Sequence, residues 1–332
     1  METKVFKENI EDAVDLLKQG QVVAFPTETV YGLGGDATNP EAIQKVFAAK
    51  GRPSDNPLII TVANPEMVAR YADITEDAQK IIETFWPDSI TIILNLKSAD
   101  SLPEVATSGL STAAFRMPDN LKTLELISIL DRPIVGPSAN TSTKPSPTTA
   151  QHVLDDLDGV IAGIVDDGPT SVGVESTILD LSTDQPTILR PGKITAELIR
   201  EVLGEVVEPD LLNLTSTEGP KAPGMKYRHY APSREVVTFD DLDLKKLSTQ
   251  LTPRDSVLAF EDILNQLDSI EQSQKWSLGQ TAKSASEELF AGLRYFDNDS
   301  DGIIYVQRMP EIGIGKAYNN RLNKASSGKI LE

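Results

Sequence analysis

The chain contains no cysteine. Disulfides, zinc–thiolate sites and thiol nucleophiles are therefore excluded. Only two histidines occur, His152 and His229. That rules out a multi-histidine metal centre and leaves a Ser-His-Asp triad only those two bases to draw on. No apolar run approaches the roughly 20 residues that span a bilayer. The opening METKVFKENIEDAV has early acids and no apolar core of signal-peptide length. The expectation is a cytoplasmic protein, neither secreted nor inserted in a membrane. Basic residues are also scarce, with 31 Lys and Arg against 50 Asp and Glu and a net charge of −19. A broad electrostatic grip on a nucleic-acid backbone is disfavoured, because that grip is built from Lys and Arg at phosphates. A small anionic ligand stays compatible, since a basic pocket can sit in an acidic protein. The signature G-x-x-x-x-G-K-[ST] is missing. IGIGK at 312–316 lacks its spacing, and GLGG at 32–35 does not fit G-x-G-x-x-G.

What is present reads as an α/β protein. Short β-branched runs occur at 22–25, 58–62, 89–94, 112–115, 133–136, 163–165, 177–181 and 187–190. Helical periodicity lies between them, at 8–19, 40–49, 65–71, 76–85, 120–130, 148–156 and 195–203. Segment 205–234 breaks this rhythm with Pro, Gly, Ser and Thr and reads as a linker. Between Gly219 and Arg234 it has no acid but holds Lys221, Lys226, Arg228 and His229, the marks of a local anion site. Strands at 235–239, 256–260 and 302–306, with helices at 241–250, 284–296 and 315–326, then predict a second, three-layer α/β domain with parallel strands. The expected division is 1–204, 205–234 and 235–332.

Seven stretches carry chemistry. PTETVYGLGGD (26–36) follows a strand with three hydroxyls and three glycines; it reads as a ligand-approaching loop or as a strand-to-strand turn. KGRPSDNPLII (50–60) sets Lys50 and Arg52 around Gly51; two fixed cations suit a triphosphate, but taken alone the stretch reads first as a helix C-cap with Lys50 complementing the dipole. Arg116 ends an apolar strand and pairs with a structural acid or clamps a substrate carboxylate. GPSANTSTKPSPT (136–148) places Ser138, Asn140, Ser146 and Thr148 beyond a strand, where α/β sheets tend to bind ligands. GVESTILDL (173–181), ILRPGKI (188–194) and APGMKYRHYAP (222–232) complete the series.

Taken in order, these stretches resemble the YrdC-like family of threonylcarbamoyl-AMP synthases in its long, two-domain form. The likeness runs from about residue 8 to 232. Ala222 departs from it where Ser usually precedes Pro-Gly-Met, as does Thr143-Lys144 where a Ser-Gly pair is common. The resemblance implies a twisted, mainly parallel sheet with a concave basic cavity. It implies synthesis of threonylcarbamoyl-AMP and pyrophosphate from ATP, L-threonine and bicarbonate, for modification of the adenosine beside the anticodon in certain tRNAs. The product would pass to a separate tRNA threonylcarbamoyl transferase complex, and stable tRNA binding is not expected. The implied threonine pocket is Thr29, Thr61, Arg116, Ser138 and Ser176. The implied ATP side is Lys50, Arg52, Asn56, Thr112, Asn140, Ser146, Thr148, Arg190 and Tyr230, with Lys50 and Arg52 as the catalytic cations. Mg²⁺ is expected to arrive with ATP using few protein ligands, which the sequence does not identify; Glu28, Glu175 and Asp36 are nearby acids with solvated or structural roles equally open to each. The linker is expected to close over the cavity and bring Tyr230 to the nucleotide. The competing reading is a nucleotide-regulated RNA-binding module.

Overall fold

The computed structural model describes residues 2–98, 101–208, 230–297 and 301–332. Most of the expected linker, 209–229, lies outside the described residues, and so does the lid expected there. The first unit runs β1 (Lys4–Phe6), α1 (Glu11–Lys18), β2 (Val23–Phe25), β3 (Gly32–Asp36), α2 (Pro40–Lys50), β4 (Ile59–Thr61), α3 (Pro65–Ala69), α4 (Glu76–Phe85) and β5 (Ile90–Asn95). It continues with α5 (Glu104–Thr107), β6 (Thr112–Arg116), α6 (Leu121–Leu130), β7 (Ile134–Val135), α7 (Ala150–Leu157), β8 (Gly163–Val165), β9 (Thr177–Asp180), β10 (Thr187–Arg190) and α8 (Ala196–Leu203). The second unit holds β11 (Val236–Phe239), α9 (Leu244–Gln250), β12 (Ser256–Ala259), α10 (Glu261–Leu264), β13 (Lys275–Ser277), α11 (Ala282–Tyr295), β14 (Ile304–Gln307) and α12 (Ile314–Ser326).

Local chemistry fixes the helix ends. Asn39 caps α2 by accepting from the Glu41 and Ala42 amides, Pro40 starts the first turn, and Gly51 stops it at φ +61°. Replacing Asn39 with Ala is expected to lower stability by about 1 kcal/mol in chemical denaturation, with activity little changed. Thr75, Asn120 and Thr149 cap α4, α6 and α7 in the same way.

The ten strands of the first unit form one sheet in the order β1-β8-β2-β3-β7-β4-β6-β5-β9-β10. Neighbours are parallel at β1–β8, β2–β8, β4–β6 and β5–β9 and antiparallel elsewhere, so the sheet is mixed where a mainly parallel one was expected. Short direct loops, 26–31 between β2 and β3 and 181–186 between β9 and β10, account for two of the antiparallel pairs. Five successive residues of β5, Ile90 to Leu94, are buried, as a strand covered on both faces requires. The second sheet, β11-β14-β12-β13, is parallel throughout.

The two units pack closely. Gly173 sits at φ +77°, and a Cβ there would lie 2.1 Å from the Ser286 carbonyl of α11. Val172 and Val174 pack on Ala317 of α12.

Candidate active site

Sheet register brings the expected threonine-pocket residues together. Parallel β4 and β6 align Thr61 with Arg116, and β5 sets Thr91 opposite the same Arg116. On the other side of β5, Thr91 aligns with Ile178, so the Ser176 hydroxyl meets that of Thr91 at 2.7 Å. Gly136 leaves room for Thr61, whose Oγ1 would stand 2.4 Å from a Cβ at that position. Ser138 bridges to Gly32, and the Ala139 amide donates to Tyr31 O, which draws the 26–31 turn alongside. Thr27 Oγ1 organises that turn: it accepts from the Thr29 and Val30 amides and donates to Val30 O. Thr29 is fully buried against it at 2.9 Å. This stretch is a tight strand-to-strand turn beside the cluster. Its glycines have a packing reason. A Cβ at Gly32 would stand 2.4 Å from the Phe25 ring, and one at Gly34 would stand 2.9 Å from Val23 O.

Arg116 is held by an acid and still has donors in reserve. Its Nη2 donates to Glu28 Oε1 at 2.5 Å. Glu28 also accepts from Ser89 Oγ (2.9 Å) and the Asp119 amide (3.1 Å). The buried Nε of Arg116 has no hydrogen-bond partner among the described residues. A buried donor left unmet is costly unless something completes it.

The expected nucleotide residues come from the end of α2, the loops around it, the 136–148 loop and the strands β6 and β10. Lys50, buried at the end of α2, donates to the carbonyls of Ser138 and Asn140 (2.9 Å for the latter) and so ties α2 to the 136–148 loop. Burial first, and then the charge of Arg52, lowers its ammonium from the usual 10.5 to about 7. Arg52 lies over the Phe47 ring and donates to Asn56 O at 3.2 Å. Asn56 is fully buried, yet neither Nδ2 nor Oδ1 has a partner among the described residues. Asn140 donates from Nδ2 to Thr141 O and Lys144 O, while its Oδ1 is likewise unmet. Thr112 starts β6, four residues and about 13 Å from Arg116 at strand rise, on the same end of the β4–β6 pair as Asn56. The two expected sets touch where Arg190 bonds Ser176 and Lys50 bonds the Ser138 carbonyl.

A second cluster closes the far side. Ser146 Oγ donates to Glu175 Oε1 at 2.6 Å. Arg190 donates from Nε to Ser176 O (3.0 Å) and from Nη2 to Ser176 Oγ (3.1 Å). Its burial, and next the nearby Arg321, lower it to about 10. Tyr230 lies against Glu175 and Arg190, is raised to about 12 mainly by burial, and stacks on Phe290 at 5.2 Å. The Thr148 hydroxyl lies 3.3 Å from His152 Nδ1. The three acids considered for Mg²⁺ each have protein partners: Glu28 as above, Glu175 with Ser146 and Arg321, and Asp36 with Arg132 and Thr38.

Two residues of the second unit were not found from sequence. Arg294 of α11 donates to Pro145 O and pairs with Asp156 at 2.9 Å, bracing the 136–148 loop from behind. Arg321 of α12 pairs with Glu175. Their signal was a cation on an otherwise apolar helix face: Arg321 shares its stripe with Tyr318, Leu322 and Ala325, all buried.

A family model described as telomere recombination matches residues 15–192. A second, described as threonylcarbamoyl-AMP synthase, C-terminal domain, matches residues 194–327. The chain is similar to the threonylcarbamoyl-AMP synthase of Pyrococcus abyssi, with 40% identity over 98% of both chains. It is similar to that of Bacillus subtilis at 42% identity, over 97% of this chain and 94% of that one. Among solved structures it resembles P. abyssi Sua5 complexed with L-threonine, with a TM-score of 0.91 and 39% identity over 100% and 99% of the two chains.

Proposed function

The chain belongs to the threonylcarbamoyl-AMP synthase family, in its two-domain form, and from that premise we propose that it joins L-threonine, bicarbonate and ATP at the clustered strand ends described above. The observation that carries this placement is Arg116, a buried guanidinium anchored by Glu28 with a donor unmet, set between the hydroxyls of Thr61, Thr91 and Ser176. The threonine complex of the P. abyssi protein supports it.

The threonine carboxylate is taken by Arg116. Thr29, Thr61, Ser138 and Ser176 read its amine and hydroxyl, and a site that bonds the hydroxyl rejects valine strongly. The amine attacks bicarbonate, losing water, to give an N-carboxylate. That carboxylate attacks the α-phosphorus of ATP; the new O–P bond forms as pyrophosphate leaves. No covalent protein intermediate is needed, so the protein contributes orientation and fixed charge. Lys50 and Arg52 serve the phosphates. Asn56, Thr112, Asn140, Ser146, Thr148, Arg190 and Tyr230 line the nucleotide half. Asn56 and Asn140 fit this role because their buried amide atoms have bonding capacity left over. Mg²⁺ bound to the triphosphate would supply neutralisation of its charge; Glu28, Glu175 and Asp36 are each already paired within the protein. We divide the chain into a catalytic unit, 1–204, and a C-terminal unit, 235–332, joined by 205–234. Among the described residues no helix is long and apolar enough to cross a membrane. We place its work in the cytoplasm, with hand-off of the product to a tRNA threonylcarbamoyl transferase complex.

The test is pyrophosphate release from ATP by the purified protein with Mg²⁺ and bicarbonate. Release is expected to depend on L-threonine, to fall at least tenfold with serine or valine, and to yield an adenylate of threonylcarbamate mass. Threonine-independent release, or none from a protein that binds ATP, overturns the reading.

A further inference from the structure

Arg321 is the largest fully buried side chain among the described residues, and all its bonds to the first unit converge on one place. Its Nε donates to Glu175 Oε2 (2.9 Å), its Nη2 to the Glu175 carbonyl (2.9 Å), and its Nη1 to the Pro191 carbonyl (2.6 Å). Glu175 and Pro191 adjoin Ser176 and Arg190. The helix of one unit thus grips both strand ends that carry the far side of the site in the other.

We propose that Arg321 is a positioning residue for the nucleotide half of the site, supplied by the C-terminal unit, and that it works by keeping Glu175 away from Arg190. This rests on the function proposed above. Glu175 is a buried carboxylate with two cations close by. Burial alone would raise its pKa; the charges of Arg321 and Arg190, and the bonds from Ser146 and Arg321, outweigh that and hold it low. It therefore stays ionised and must be paired. Arg321 does the pairing with its fork, on the side chain and the main chain together. Arg190 is left to bond Ser176 and to keep its charge for the nucleotide. Without Arg321, Arg190 exerts the strongest remaining charge on Glu175, with Lys324 and Lys50 also acting on it. An Arg190–Glu175 pair would cancel the charge offered to ATP and pull Arg190 off Ser176.

A second consequence concerns Ser146. Its proton is committed to Glu175 Oε1 at 2.6 Å. The hydroxyl consequently faces the ligand as an acceptor, suited to a ribose hydroxyl or an exocyclic amine rather than a phosphate oxygen.

The test is steady-state kinetics of pyrophosphate release with ATP and threonine varied separately, for wild type, Arg321→Gln, Arg321→Lys and the double variant Arg321→Gln/Glu175→Gln. Arg321→Gln is expected to raise KM for ATP tenfold or more and to leave KM for threonine within about twofold. Arg321→Lys keeps the charge and is expected to recover much of that loss. The double variant removes the acid that would capture Arg190, so ATP KM is expected to return to within about threefold of wild type. Equal changes in both KM values, or a double variant no better than the single, would mean a merely structural role and overturn the inference. If Arg321→Gln does not fold, the ATP-selective effect in Arg321→Lys and its relief by Glu175→Gln in the same chain decide the matter. Wild-type activity is measured alongside: its absence removes the proposed function itself, whereas its presence without the ATP-selective pattern removes only this inference.

Discussion

Replacing Arg116 with Gln is expected to lower kcat/KM for threonine by on the order of 10³, equivalent to about 4 kcal/mol of transition-state stabilisation. Two losses add here. The substrate carboxylate loses its clamp, and Glu28, almost fully buried, loses its cation. The second loss alone is worth about 3–5 kcal/mol of stability when a buried pair is broken from one side. The two are separable. In Arg116→Gln/Glu28→Gln the stranded charge is gone, so thermal stability is expected to recover while activity does not. Recovery of activity together with stability would reduce Arg116 to a structural partner of Glu28, the other role open to an arginine at a strand end.

The second large effect concerns Lys50. Lys50→Met is expected to lower kcat/KM for ATP by on the order of 10²–10³, the usual cost of one preorganised donor to a developing phosphate charge. The depressed ammonium adds a signature that activity alone would not give. At pH 8 the free protein holds Lys50 largely as the neutral amine, since its pKa is about 7. A triphosphate beside it raises that value, so ATP binding is expected to take up as much as one proton. Calorimetry in buffers of different ionisation enthalpy measures the uptake, and Lys50→Met should abolish it. Stability carries the same group. Between about 7 and 10.5 the unfolded chain holds a proton at Lys50 that the native state lacks. Wild-type stability therefore rises with pH across that window, and below it the slope from this group vanishes because both states are protonated. The difference between wild type and Lys50→Met in urea denaturation isolates the term, on the order of a few kcal/mol over the window.

The two assignments differ in how far sequence led to them. Helix positions followed closely from caps and stops: Asn39-Pro40, Thr75 and Gly51 each mark an end that the periodicity approached within a residue or two. The three-residue strands β1 and β13 gave no such signal. Neither is a buried apolar run: KVF exposes two of its three residues and KWS is half-buried, whereas the equally short β2 and β8 are buried throughout. The glycines of 32–35 show the opposite situation. They invite a ligand-based reading, but the Phe25 ring and the Val23 carbonyl already account for Gly32 and Gly34. The site motifs were legible because each is a run of small polar or basic residues at a strand end. Their mutual placement was not, because it depends on register: Thr61, Thr91 and Arg116 come level only when β4, β5 and β6 pair in one particular alignment. Arg294 and Arg321 escaped notice because no motif surrounds them; each is a single charge on a packed helix, and its partner lies more than a hundred residues away.

Gly173 meets α11 with no space for even a methyl group. For this chain's descendants that contact is a rule of inheritance. A residue inserted or lost in the 168–176 turn displaces the strand end bearing Ser176, and α11 can follow only by shifting the sheet it covers. A matching change in α11 would be needed to restore the contact. A recombinant that grafts another lineage's C-terminal half onto this catalytic half should lose function unless the turn and the helix travel in the same exchange.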